Sequence, residues 1–324
     1  GLFSRFKEDR EEKTGEVLFR NNERAIDVTS YTIDANNNLI AGTFNDVYVR
    51  TEHYLRRSKT DFYQLTGTLD QKLGERLKFG AVIGYAKSEF RNPIQTTVTL
   101  DAANTQGFFY DFSTRFPTIR PGVDVTDPAT FAFTTGISEV RIRPQTVDNS
   151  FTNAKGFLEW EAASALKIKG GVDWRRFSYD STERRRLSGE AVVQNLTPSQ
   201  LAAATMQFSG FGKGLNVPEG TPTGFVVPDL GKFISLYGIY SDPLYATGGV
   251  ESASARGAYV TVVEEDLGGW GMAEFNLAEA GLPVRGDVGL RYARTDQRST
   301  GYTGQGNTLA LVTADRDYGR WLPS

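Results

Sequence analysis

Residues Lys59 to Phe90 read KTDFYQLTGTLDQKLGERLKFGAVIGYAKSEF, and their pattern decides the fold. Tyr63, Leu65, Gly67, Leu69 and Leu73 share one face, and Gln64, Thr66, Thr68, Asp70 and Lys72 share the other. After Gly74-Glu75-Arg76 the alternation resumes, with Leu77, Phe79, Ala81, Ile83 and Tyr85 opposite Lys78, Gly80, Val82 and Gly84. A period of two is the signature of a strand, and two such runs across a tight turn predict an antiparallel hairpin.

The unit recurs twice. Thr152, Ala154, Gly156, Leu158, Trp160 and Ala162 alternate with Asn153, Lys155, Glu159 and Glu161. Across Ala163-Ser164-Ala165 they are answered by Leu166, Ile168, Gly170, Val172 and Trp174 against Lys167, Lys169, Asp173 and Arg175. Further on, Leu267 to Leu277 runs toward a turn near Ala280-Gly281, and Leu282, Val284, Gly286, Val288, Leu290 and Tyr292 then alternate with Arg285, Asp287 and Arg291. In each return strand an aliphatic residue near the turn precedes an aromatic by eight positions: Leu77 and Tyr85, Leu166 and Trp174, Val284 and Tyr292. At roughly 3.3 Å per residue and a tilt of about 40°, that step rises about 20 Å, the height of an outer-membrane barrel's apolar belt with its aromatic rim.

Alternation alone is shared with a soluble sandwich, which buries its apolar face in a core. The connections separate the two. Turns at one end span about three residues, whereas the segments at the other end are long: about 8–58, 91–150 and 180–263. Short turns at one rim and long loops at the other are the habit of membrane barrels and are uncommon in compact domains. The polar faces, with Lys155, Glu159, Asp173, Arg175, Arg285, Asp287 and Arg291, then form a wall facing a polar lumen, paired across strands or with a plug.

Composition narrows the function classes. A net charge of -3 over 324 residues gives no electrostatic case for nucleic acid. The absence of cysteine removes disulfides, thiolate zinc and thiol catalysis together. No run approaches the eighteen consecutive apolar residues of a spanning helix, a test that a barrel escapes because its apolar residues alternate. Gly1-Leu2-Phe3-Ser4-Arg5 leads into the charged stretch 7–13 without a secretory leader, so the chain reads as an internal piece that begins within a strand.

Glu8 to Lys13 is expected outside the membrane. Asn36-Asn37-Asn38 predicts a turn between Tyr31–Asp34 and Leu39–Gly42, since Asn tolerates positive φ. A calcium loop starting at Asp34 fails, because Leu39 and Asn45 stand where Gly and Glu are needed. Phe108, Phe109, Tyr110, Phe112, Phe116, Phe131 and Phe133 crowd one long loop, either as its own small core or as a stacking surface for a ligand. Phe109, Tyr110, Phe112 and Arg115 are the favoured ligand contacts, since clustered rings beside a base can stack on a sugar and bond its hydroxyls. Arg184-Arg185-Arg186 offers a site for an anionic ligand or for lipid phosphates, with a solvated strand extension as the alternative. Thr197-Pro198-Ser199-Gln200 predicts a helix start. The single histidine, His53, reads as a surface residue without metal partners, and no nucleophile-elbow pattern accompanies it. No catalytic role, metal or cofactor is assigned.

Several segments resemble the TonB-dependent outer-membrane receptors, in particular the subclass that scavenges complex carbohydrates. They are Gly42 to Gly67 (GTFNDVYVRTEHYLRRSKTDFYQLTG), Phe90 to Asp101 (FRNPIQTTVTLD), Asp124 to Phe133 (DVTDPATFAF), Ser138 to Phe151 (SEVRIRPQTVDNSF) and Leu282 to Tyr302 (LPVRGDVGLRYARTDQRSTGY). Asp317 to Ser324 looks like the start of a further strand. The resemblance implies an all-β protein: about six complete strands, with a partial one at each end, of a 22-stranded transmembrane antiparallel barrel. It also implies a Gram-negative outer-membrane location among lipid, a plug domain, a TonB energy-coupling complex and a scarce nutrient, either a complex carbohydrate or a siderophore-like ligand. Neither plug, TonB box nor closing strand is recognisable here. A passive porin or small structural barrel is the alternative and requires both chain ends on adjacent paired strands. An outer-membrane hydrolase would require His53 within hydrogen-bonding reach of a serine or carboxylate.

Overall fold

The computed structural model describes residues 1–19, 26–278, 281–304 and 308–323. Its frame is a set of long strands: Leu2–Leu18 (β1), Val47–Lys72 (β4), Leu77–Thr105 (β5), Gln145–Ala163 (β9), Leu166–Glu183 (β10), Val260–Asn276 (β15), Arg285–Thr303 (β16) and Ala310–Pro323 (β17). Between them lie the shorter strands Asp27–Ile33 (β2), Leu39–Asn45 (β3), Phe108–Asp111 (β6), Thr118–Arg120 (β7), Val140–Ile142 (β8), Arg185–Arg186 (β11), Thr205–Ser209 (β12), Gly224–Pro228 (β13) and Thr247–Gly248 (β14). The described residues also include two α-helices, Pro198–Ala203 (α1) and Leu230–Tyr237 (α2), and short 3-10 turns.

The chain is all-β and its main sheet is antiparallel, in the order β1-β4-β5-β9-β10-β15-β16-β17. Six strands are paired on both sides, and β1 and β17 form the edges, as the hairpin pattern anticipates. Among the described residues β1 pairs only with β4 and β17 only with β16, so the sheet does not close on itself. Gly74 takes a φ of +142°, which an L side chain avoids, in the β4–β5 turn. Ser164 and Ala165 link β9 to β10. Ala280, in the expected third turn, lies outside the described residues, but Leu277 N donates to Val284 O across it (2.9 Å).

The register assembles the three hairpins into one apolar band. Leu65 faces Tyr85, Leu69 faces Ala81, Phe79 faces Leu158, Ile168 faces Trp160 and Ala273, and Gly271 faces Leu290. Partners in an antiparallel ladder share a face, so the band crosses six strands without interruption. It is not packed: Leu65 is 65% exposed, Ile83 64% and Val172 61%. Tyr292 and Trp321, with ring centroids 4.9 Å apart, stand at its upper edge.

Buried packing is found instead at the other end, and this corrects the expected loop boundaries. The 29 residues of β5 extend through 91–105, β1 runs through the charged stretch 8–13, and β4 occupies 47–58. A strand of that length spans roughly 95 Å, far beyond a bilayer's hydrocarbon, and its tip needs cover of its own. The alternation there is interrupted at Asn92-Pro93, where the β4–β5 register slips by one residue between the pairs Arg57↔Ile94 and Lys59↔Arg91. Above that slip, Val49, Val98, Leu100, Val140, Val226 and Phe233 are buried in one cluster contributed by the strand tips and both long loops.

The loop pieces follow local rules. Thr197 caps α1 with a reciprocal capping box to Gln200, as its sequence predicts. Asp229 caps α2 by accepting from Lys232 N (3.1 Å), and Gly238 ends it in the left-handed conformation. Leu230, Phe233 and Tyr237 face the core from α2 at helical spacing. Asp34 accepts from Asn36 N and Asn38 N (both 2.8 Å) in the turn between β2 and β3.

Candidate functional site

Two regions gather chemistry: the charged face of the sheet and an aromatic recess at the loop end. On the charged face, Glu159 lies between Lys78 (3.4 Å) and Lys169 (3.5 Å), with Lys167 at 4.0 Å, and Lys169 also reaches Glu274 (2.5 Å). The residues alternate in sign along a row crossing β5, β9, β10 and β15, the arrangement that lets neighbouring strands carry charge on one face without repulsion. Higher up, Asp173 accepts from Arg291 (2.9 Å), with Arg175 at 3.8 Å. Gly268 makes this possible, because a Cβ there would stand 2.8 Å from Asp173 Oδ2. Lys155 Nζ lies 6.0 Å from the centre of the Phe157 ring, while Arg285 and Asp287 line a shallow recess with Lys167 and Glu274 near the turns. The seven residues expected on a polar wall lie on the strand positions opposite the apolar band, and three of them, Glu159, Asp173 and Arg291, pair across strands.

The aromatic recess has a volume of about 400 Å³. β1 and β4 supply its floor through Gly15, Val17, Val49 and Thr51, and Phe108, Tyr110, Phe112 and Phe225 are among its walls. The rings form a continuous cluster, with Phe44 stacked on Tyr110 at 5.5 Å and Phe112 edge-on to Tyr110 at 5.3 Å. Period two within β6 explains which rings participate. Phe108 and Tyr110 turn into the recess, whereas Phe109 lies under the Arg120 guanidinium (5.3 Å) and does not line it. Arg115 sits over the neighbouring Phe116 ring (5.4 Å), so of Phe109, Tyr110, Phe112 and Arg115 only Tyr110 and Phe112 line the recess. Burial pushes the Tyr110 hydroxyl's pKa up.

The arginine triplet is divided. Arg184 donates to Thr247 Oγ1 (3.3 Å), and Arg185 pairs with Glu183 (2.5 Å). Arg186 is 1% exposed, donates to the carbonyls of Val140 (3.2 Å), Glu190 (3.1 Å) and Leu244 (3.1 Å), and lies 4.4 Å from the Tyr245 ring centre. Desolvation pushes its pKa below the ordinary arginine value. It ties loop segments together, so the three arginines do not form one exposed basic patch.

His53 departs from the surface reading. It is 4% exposed, with Nδ1 2.8 Å from Pro228 O and Nε2 2.8 Å from Glu11 Oε1. The hydrogen bonds to Lys13 and His53 hold the Glu11 carboxyl below its usual range. A carboxylate is therefore within reach, and the contact that the hydrolase alternative requires of His53 is present. Among the described residues the ring's partners are Pro228 O, Glu11 and the Leu230 N–H, which donates to Nδ1 (3.4 Å), so the histidine fastens β13 and the start of α2 to the β1–β4 tip.

Sequence reasoning missed Thr51, Phe225 and Gly15 in the recess, because they converge from segments 36 to 210 residues apart. No family model matches the chain, and no curated protein matches it. Among solved structures, the siderophore receptor PiuA from Acinetobacter baumannii aligns over 99% of this chain at 9% identity and a TM-score of 0.26. The chain spans 44% of that receptor's chain. A likeness of that strength assigns neither family nor function, and the fold stated above rests on the strands, their register and the exposed band.

Proposed function

We propose that this chain is a sector of an outer-membrane transport barrel, a receptor that captures a scarce organic nutrient at its extracellular loops for energised uptake. The observation that carries the reading is the apolar band, continuous in register over six strands and open to its surroundings, backed by a face of alternating charge. Water disfavours such a face, a bilayer requires one, and unpaired strand edges are not tolerated in hydrocarbon. The open edges of β1 and β17 therefore call for further strands beside them, which favours a sector of a larger wall over a small self-contained barrel. A plug and a TonB-type coupling partner belong to this proposal through the segments quoted above.

Solute flux distinguishes a coupled receptor from a passive porin. The parent protein, reconstituted into liposomes without energy coupling, is expected to exclude small sugars such as arabinose from free exchange. Swelling at the rate of a general porin would overturn the receptor reading.

A further inference from the structure

His53 lies buried where three segments meet, and its two short contacts cannot both be made by a neutral ring. Nε2 is 2.8 Å from Glu11 Oε1 on β1, and Nδ1 is 2.8 Å from the carbonyl of Pro228, the last residue of β13. Both partners are acceptors, since the hydrogen bonds from Lys13 and His53 hold Glu11 as a carboxylate.

A neutral imidazole carries one N–H. With the proton on Nε2, Glu11 is satisfied and Nδ1 turns a lone pair toward Pro228 O; the ring then accepts from Leu230 N, the longer contact at 3.4 Å. With the proton on Nδ1, Pro228 O is satisfied and a lone pair faces the Glu11 carboxylate. Only the imidazolium donates at both nitrogens, and the two short contacts are of that kind. Protonation thus exchanges the first N–H of α2 for the last carbonyl of β13, the two flanks of the Asp229 cap.

The surrounding charges are few. Lys13 stands opposite His53 in the ladder and opposes a second positive charge, but its Nζ meets the same Glu11 Oε1 (2.5 Å). Glu52 and Tyr54, the neighbours of His53 along β4, project to the opposite face. From β5 the facing residue is the uncharged Val98. Asp229 accepts from Lys232 N (3.1 Å), with Lys232 Nζ at 3.8 Å. What the ring holds matters to the loop end, because Phe225 of β13 walls the recess and Phe233 of α2 lies in the buried cluster.

We propose that His53 is a proton-operated latch: its imidazolium pins the end of β13 to β1 through Pro228 and Glu11, and loss of the proton releases one of these contacts and loosens the β13–α2 junction beside the recess. The latch works whatever the loop end captures, so it stands apart from the transport reading. Imidazoles change charge between about pH 5 and 8. A contact made by the protonated ring is fully present on the acid side and is lost as pH rises.

Hydrogen exchange on the intact protein in lipid tests this between pH 5.5 and 8.5, with rates corrected for the intrinsic pH dependence of amide exchange. The measurements use a Glu52→Gln background, which removes the raised carboxylate of the loop end. Val226, whose N–H donates to Val125 O, and Phe233, whose N–H donates to Asp229 O, should lose protection about fivefold or more as pH rises, the worth of one hydrogen bond, while the β9–β10 turn stays constant. His53→Phe, which keeps the ring's bulk, and His53→Gln, which donates to one acceptor only, should each show protection independent of pH. The Glu11 side chain is half-exposed, so Glu11→Gln keeps the packing and should move the loss of protection to lower pH, a test that stands even where the His53 variants do not fold. Protection that is constant or rises with pH, a pH dependence that persists in both His53 variants, or a transition unmoved by Glu11→Gln would each overturn the latch.

Discussion

Replacing Asp101 with alanine should loosen the loop end while leaving the membrane-height sheet intact. Arg50 and Asp101 are 3% and 1% exposed and meet through two parallel hydrogen bonds, Nε to Oδ1 at 2.9 Å and Nη2 to Oδ2 at 3.2 Å. Ser138 Oγ donates to the same carboxylate (2.5 Å), and Ile137 O accepts from Arg50 (2.7 Å). Removal of the carboxylate leaves a buried guanidinium with a single acceptor and Ser138 Oγ with only its long contact to Ala132 O (3.5 Å). An uncompensated buried charge costs about 3–5 kcal/mol, with the lost Ser138 bond accounting for about 1 kcal/mol of that. At 1.36 kcal/mol per factor of ten, amides guarded by this contact should exchange roughly a hundredfold faster or more. The amides to follow are Thr99, which donates to Glu139 O, and Ala132, which donates to Asp101 O. Hydrogen exchange read by mass spectrometry on the intact protein reports both, with the β9–β10 turn as an internal control. The double variant Arg50→Met/Asp101→Leu should recover much of the protection, since a paired apolar replacement carries no desolvation penalty. An acceleration below about fivefold in Asp101→Ala would refute the claim that this charge is buried and dependent on its partner.

Two other outcomes follow from the same geometry. Arginine at Leu69, Ile83 or Val288 should destabilise the parent barrel in bilayers by about 2–4 kcal/mol, while arginine at Thr68 or Gly289 on the charged face should cost much less, as measured by denaturant titration in lipid. At the loop end, burial, followed by the nearby Glu16 charge, raises the pKa of Glu52. A raised carboxylate favours the folded state below its unfolded pKa and loses that advantage as pH rises through the folded value. Glu52→Gln should therefore raise the loop end's resistance to proteolysis at pH 7 and change little at pH 4; the reverse order would show that the Glu52 charge is stabilised by its surroundings.

The sheet was legible in the sequence because each hairpin carries its own record. Leu69 opposite Ala81, or Ile168 opposite Trp160, follows from alternation and a short turn, which needs no distant information. The start of α1 was legible for the same reason, since the capping residues lie within four positions of one another. The loop end was not. Residues 91–105 continue β5 although their apolar rhythm breaks at Asn92-Pro93, and the break hides the strand. His53 appears polar and exposed from its neighbours, but its cover, Pro228, arrives 175 residues later. In the recess, Tyr110 and Phe112 were visible as a cluster, and the period of β6 separates them from Phe109 once the strand is known.

The central claim is that one face of this sheet meets lipid and the other does not, and site-directed spin labelling tests it most directly. The chain has no cysteine, so single cysteines at Leu65, Leu69, Ile83 and Val288, and at Thr66, Thr68, Val82 and Gly289, place a nitroxide on either face of the intact protein in lipid bilayers. Labels at the first four positions should relax strongly with oxygen, which concentrates in hydrocarbon, and weakly with a water-soluble nickel chelate. Labels at the second four should show lower oxygen access, giving an alternation of period two along each strand. Equal oxygen access on the two faces, or nickel access at Leu69 and Ile83 matching that of a loop position, would contradict the account.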